Sequence, residues 1–124
     1  MLDVMPLFVH TLRILARDYL TYFELMILLS ILRVGDEAYG VPIAREMETT
    51  GGRTVVLSAV YAALDRLEEN GLVSSSLGEP TPERGGRAKR FFRVTPAGLR
   101  SVRQARRALT QLWTDLPQLE GGRS

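Results

Sequence analysis

Apolar positions recur at helical spacing through most of the chain and alternate only in its second half. In "PLFVHTLRILARDY", residues 6–19, Phe8, Leu12, Leu15 and Tyr19 follow one another at steps of four, three and four, which predicts a helix with one apolar face. Pro6 fits its first turn, where the missing N–H leaves no bond unmade. "TYFE", Thr21 to Glu24, has the form of a capping box and predicts a new helix from Tyr22 to about Val34, stopped by Gly35. The centre of that segment is apolar nearly all round, so a buried helix is expected. In "AYGVPIAREMETTGG", Pro42 restricts the helix start to the neighbourhood of Tyr39. Val41, Ile43, Ala44 and Met47 form its apolar side, and Gly51 and Gly52 end it.

"RTVV", which follows, is long enough only for a β-bridge. "LSAVYAALDRLEENG" predicts a third helix with Ser58 as N-cap and Gly71 as stop. Val60, Ala63, Leu64 and Leu67 make its buried stripe. Ser58, Ala62, Asp65 and Glu69 point the opposite way, flanked by Ala59, Tyr61 and Arg66. Two strand-like runs come next, Leu72 to Leu77 and Lys89 to Val94, joined by the Gly- and Pro-rich "GEPTPERGGRA". They predict an antiparallel hairpin with a long tip. Alternation places Phe92 and Val94 on one face and Phe91 and Arg93 on the other. Thr95 and Pro96 open a last helix, in which Leu99, Val102, Arg106, Leu109, Trp113 and Leu116 form a seam at steps of three and four. Pro117 is expected to end it and to begin a disordered tail. Three helices followed by a hairpin and a further helix predict a mainly α fold with a small β-hairpin, a winged helix-turn-helix. The expected division is an N-terminal helical arm over residues 1–20, the winged domain over 21–95, a dimerisation helix over 96–116 and a tail over 117–124.

Charge sharpens this picture. The 124 residues carry a formal net charge of +2, but it is unevenly spread. Residues 1–80 hold six basic and eleven acidic side chains, and residues 81–124 hold ten basic and three acidic ones. The basic half points to a polyanionic partner. Its densest stretch, "ERGGRAKRFFRV", sits on the hairpin with Arg84, Arg87, Lys89, Arg90 and Arg93. In a winged helix the third helix enters the major groove and the wing lies over the neighbouring backbone. Arg84, Arg87, Lys89 and Arg90 are therefore expected at phosphates or the minor groove, and Arg53, just before the third helix, at another phosphate. Ser58, Ala59, Tyr61, Ala62 and Arg66 are expected to face the bases. Asp65 is expected to pair with Arg66 or Arg53, the alternative being that it accepts from a cytosine amino group.

The string "ELMILLSIL", then "YG", then "LSAVYAALDRLEENGLVSS", then "RGGRAKRFFRVTPAG" resembles the PadR family of bacterial transcriptional regulators over residues 22–100, and its short-tailed subgroup in particular. The resemblance implies a homodimer that binds double-stranded operator DNA and usually represses its promoter. It assigns the family's recognition-helix tyrosine to Tyr61, the cap region to Ser58 and the basic wing to Arg84, Arg87, Lys89 and Arg90. Where the family often has Thr before that tyrosine and Pro after it, this chain has Ala59 and Ala62. Base readout by the helix is thus expected to differ.

The seam of Leu99, Val102, Leu109, Trp113 and Leu116 and the stripe of Phe8, Leu12, Leu15 and Tyr19 exceed what one small core needs, which independently suggests a dimer. Tyr19, Tyr22, Met26 and Trp113 are candidates to line a site for a small-molecule effector, although no residue reveals its chemistry. A winged-helix protein-interaction module that does not read DNA is the alternative. Catalysis is not expected: the chain has one histidine and no cysteine, no paired carboxylates across a cleft and no phosphate-binding loop. No cofactor or metal is implied. The longest apolar run, Leu25 to Leu32, falls far short of the roughly 20 residues of a membrane span, and the N-terminus lacks the order of charge and apolar core of a secretory signal. A cytoplasmic location is expected.

Overall fold

The computed structural model of the chain describes residues 20–80 and 88–120. The expected arm helix with Phe8, Leu12, Leu15 and Tyr19, and the wing-tip residues Arg84 and Arg87, lie outside them. Helix α1, Tyr22–Val34, opens on the capping box: the Thr21 hydroxyl accepts from the Glu24 N–H at 3.0 Å, and the Thr21 N–H donates to Glu24 Oε1 at 2.9 Å. A single 3-10 turn, Gly35–Glu37, leads to α2, Gly40–Thr49, and then to α3, Leu57–Glu69. Ile27, Leu28 and Ile31 of α1, Ile43 and Met47 of α2, and Val60, Ala63, Leu64 and Leu67 of α3 close one core. Arg33 ties α1 to α2 through Glu46 at 2.7 Å. The Thr50 hydroxyl and this guanidinium hold the Glu46 carboxyl below its usual range. The stabilisation from that shift is present at neutral pH and is lost as the pH falls through the carboxylate range.

The hairpin pairs β1, Val73–Leu77, with β2, Arg90–Val94, antiparallel, with Val73 opposite Val94 and Leu77 opposite Arg90. Val73, Phe92 and Val94 reach into the core, as the alternation predicts. The Phe92 N–H donates to the Ala38 carbonyl at 2.8 Å, so the segment before α2 binds the hairpin's free side. "RTVV" forms no bridge; that edge is taken by Ala38. Helix α4, Pro96–Trp113, starts at Thr95, whose hydroxyl accepts from the Gly98 N–H at 3.0 Å and donates to the Gly71 carbonyl at 2.6 Å.

Several boundaries and exposures differ from expectation. Helix α1 is not buried all round: Tyr22, Leu29 and Leu32 are exposed, because α2, α3 and the hairpin cover only one side of it. Helix α3 begins at Leu57, with Val56 as an N-cap that makes no side-chain cap bond. The Val56 carbonyl accepts from the Ala59 and Val60 N–H groups at 3.0 and 3.2 Å, so Ser58 lies inside the first turn with its side chain exposed. Helix α4 stops at Trp113, short of Leu116 and Pro117. Thr114 is extended, its hydroxyl donates back to the Thr110 carbonyl at 2.7 Å, and Asp115 reverses the chain at φ 61°. Residues 117–120, expected to be disordered, form a turn in which the Leu119 N–H donates to the Leu116 carbonyl at 3.0 Å.

Gly98 lets α4 lie directly on the end of the hairpin. A Cβ there would stand 2.2 Å from the Leu72 carbonyl oxygen and 2.7 Å from a Val94 methyl. Alanine favours a helix interior by up to about 1 kcal/mol over glycine, but overpacking against backbone costs about 1–3 kcal/mol. Gly98→Ala is therefore expected to lower stability in urea unfolding by about 1 kcal/mol or more; a gain would contradict this packing.

Candidate nucleic-acid interface

The rotation of α3 about its axis decides what it presents. Val60, Ala63, Leu64 and Leu67 are fully buried, so Ser58, Ala59, Ala62, Asp65, Arg66 and Glu69 emerge on the other side and are exposed. Tyr61 lies at the edge, half-buried, with its ring against the start of α2. A Cβ on Gly40 would come within 2.3 Å of that ring. The "YG" pair in the sequence thus positions Tyr61, because only glycine admits a ring so close to the backbone.

The hairpin is tied to the same helix. Arg90 Nη1 stands 3.2 Å from Asp65 Oδ1, its Nη2 donates to Glu68 Oε1, and its Nε donates to the Ser75 hydroxyl at 3.1 Å. Ser75 in turn donates to Glu68 Oε2 at 2.7 Å. The guanidinium also covers the Phe92 ring at 5.0 Å. Arg90 is thus a clasp between the wing and α3, and the partner of Asp65 is Arg90 rather than Arg66 or Arg53. Twenty-five residues separate the two, and only the folded hairpin brings them together. Arg66 instead sits 3.6 Å from the buried Glu24 of α1. Lys89 immediately precedes β2 and the clasp residue Arg90. Its ammonium lies 4.6 Å above the Tyr39 ring, which meets Phe91 edge-on at 5.7 Å. Arg53 is exposed, with its guanidinium 5.9 Å and 5.8 Å from the Tyr22 and Phe23 rings at the start of α1. Among the described residues no group of three or more histidine, cysteine or acidic side chains is arranged to hold a metal.

A recognition-type helix, a clasped wing and a three-helix core are the parts of a winged helix-turn-helix, and the comparisons with known proteins agree. The sequence profile of the transcriptional regulator PadR-like family matches residues 28–104. The chain belongs to the PadR-like family of transcriptional regulators. It is 36% identical over 77 residues to the transcriptional regulator Rv3488 of Mycobacterium tuberculosis, an alignment spanning 62% of this chain and 67% of that protein. Its fold is similar to that of a transcriptional regulator from Clostridium thermocellum, with a TM-score of 0.65 at 24% identity over 80% of this chain and 93% of the other. It is also similar to a PadR family transcription regulator from Clostridium difficile, with a TM-score of 0.62 at 22% identity over 82% and 100%.

In this PadR-like chain a second surface stands apart from α3. Leu25 and Leu29 of α1 and Val102, Leu109 and Trp113 of α4 line an apolar groove of about 550 Å³, edged by Arg103 and Arg106. The seam on α4 divides: Leu99 and Val102 pack against the core of their own chain, whereas Leu109, Trp113 and, beyond the helix, Leu116 are exposed. Trp113, Tyr22 and Met26, expected together, line three different grooves. No helix among the described residues is long and apolar enough to cross a membrane.

Sequence reasoning placed Ser58, Ala59, Tyr61 and Ala62 on α3 but missed what holds their neighbours. The Arg90–Asp65–Glu68–Ser75 cluster and the Glu24–Arg66 pair leave no local signal, since their members lie on different elements. Gly40→Ala is expected to displace the Tyr61 ring and destabilise the fold by about 1–3 kcal/mol. In a Tyr61→Ala background the same change is expected to be nearly neutral, so a double-mutant cycle by thermal unfolding should give a coupling of about 1 kcal/mol or more.

Proposed function

We propose that this PadR-like regulator binds double-stranded DNA sequence-specifically as a homodimer in the cytoplasm and represses by occupying its operator. The observation that carries the reading is the outer face of α3, free of core contacts and standing beside a basic hairpin that Arg90 clasps to it. Ser58, Ala59, Tyr61 and Ala62 face the major groove, with Arg66 at the edge where Glu24 holds it. Arg53, Arg84, Arg87 and Lys89 meet phosphates, and Arg90 sets the angle of the wing. Such contacts position the protein on the backbone without reading bases. A two-fold dimer sets two copies of α3 roughly 34 Å apart, one turn of the duplex.

The exposed apolar side chains of α1 and α4 support the dimer. Leu29, Leu109 and Trp113 are exposed among the described residues, and a partner's α4 is an element that can cover them. The groove beneath Trp113 is also where a small apolar effector would alter the spacing of the two α3 helices.

The reading is tested by fluorescence anisotropy against DNA from upstream of the gene and a scrambled duplex, at two salt concentrations. A preference for the upstream DNA of about 10³ or more is expected of an autoregulator. Failure to bind any duplex at low salt, with a DNA-independent protein partner found instead, would turn the chain into an interaction module. Arg87→Ala is expected to weaken binding to both duplexes alike and to flatten the salt dependence by about one unit, whereas Tyr61→Ala should weaken specific binding more than non-specific binding. Trp113→Glu is expected to halve the mass in sedimentation, since a buried unpaired charge opposes association; an unchanged dimer would place the interface elsewhere.

A further inference from the structure

The first two turns of α3 carry an unusual surface for a helix that is to meet a polyanion. Val56 and Leu57 are 68% and 39% exposed, and Ala59 and Ala62 are exposed on the outer side of the helix. Only the Ser58 hydroxyl and the edge of Tyr61 interrupt these apolar groups. Residues 54–64 contain no charged side chain and no Asn or Gln. Of the charges farther along the helix, Asp65 and Glu68 are matched by Arg90 and Arg66 by Glu24, and Glu69 lies at the helix's far end. Isolated exposed apolar side chains are ordinary, but a run of them that leads a recognition helix with no charge among them marks a binding surface.

The chemistry of the major groove narrows what that surface can meet. Guanine and adenine are read there by forked donors and acceptors, from Arg, Lys, Asn or Gln, and cytosine by a carboxylate. The leading turns of α3 offer none of these. Thymine alone presents a methyl group in the major groove, and small apolar side chains are its complement. The N-terminal residues of a recognition helix are the ones that reach base edges.

We propose that α3 selects its operator by packing Val56, Leu57, Ala59 and Ala62 against thymine C5-methyl groups, with Ser58 as its polar base contact. The ligand class is a duplex whose half-sites present thymines to the major groove. This inference rests on the DNA-binding reading above and specifies what that reading recognises. Specificity then comes mainly from methyl burial, with the Ser58 hydroxyl adding one hydrogen bond, and the phosphate contacts of the wing supply most of the affinity.

The experiment uses the full chain and a duplex selected from a random pool for tight binding. Its affinity is compared with that of the same duplex carrying deoxyuridine in place of every thymidine. The replacement removes the C5-methyl groups and keeps every hydrogen-bonding atom of the base. Each buried methyl contributes about four-fold, so two or more give an expected weakening of about ten-fold or greater at an unchanged salt slope. Confining deoxyuridine to the half-sites should reproduce the loss, and confining it to flanking DNA should not. Val56→Asn provides the matching change in the protein. Asparagine is a preferred N-cap residue, so the melting temperature should hold or rise while the thymidine preference shrinks. Equal affinity for the two duplexes would overturn the inference and leave DNA binding standing. If no selected duplex bound better than the random pool, the DNA-binding reading would fail, and this inference with it.

Discussion

The burial of one stripe on α3 governs the arrangement. Val60, Ala63, Leu64 and Leu67 make up the side of α3 that closes against α1, α2 and the hairpin, and all four are fully buried. Rotating the helix by even one residue would bring exposed Ser58, Ala59 or Arg66 toward the core and force a polar or undersized group into a well-packed space. Because the stripe sets the rotation, it also sets the opposite face, so stability and function share a single constraint. Gly40 extends that constraint to Tyr61, whose ring rests where any other residue would place a side chain.

Electrostatics refine what packing leaves open. A chain with acids in its first half and cations in its second could scatter its pairs over the surface, where each would be worth about 1 kcal/mol or less. Here Asp65 and Glu68 are gathered under one guanidinium from the wing, with Ser75 completing the set and Phe92 beneath it. The cluster orients β2 on α3, and it matches Asp65 and Glu68 of that helix with one cation. Glu24 serves α1 and α3 at once, closing the capping box and holding Arg66.

Much of this was legible beforehand because it is local. The capping box at Thr21, the start at Thr95 and Pro96, the buried stripe of α3 and the alternation of Phe92 with Phe91 each depend on residues within a few positions of one another. The winged helix order followed from those elements, and the match to the PadR-like family over residues 28–104 agrees with it. The errors are those of reach. Ser58 looked like a cap because serine favours that position, yet the Val56 carbonyl started the helix earlier. Helix α1 looked wholly buried because its composition is apolar, yet composition does not say how many neighbours a helix has. Pro117 looked like the stop of α4, but the chain had already turned at Thr114 and Asp115.

Periodicity and capping residues determined which segments form helices and strands and which side of each is apolar, though not every end, since these are short-range properties of the chain. Tertiary structure decided which charged groups meet: Arg90 with Asp65 and Glu68, and Arg66 with Glu24, pairs that join separate elements. Among the described residues it also decided which apolar side chains are exposed, Leu29, Leu109, Trp113, Val56 and Leu57 among them. A pairing across elements depends on the three-dimensional path between them, and exposure depends on what else packs nearby, so neither can be read from spacing along the chain.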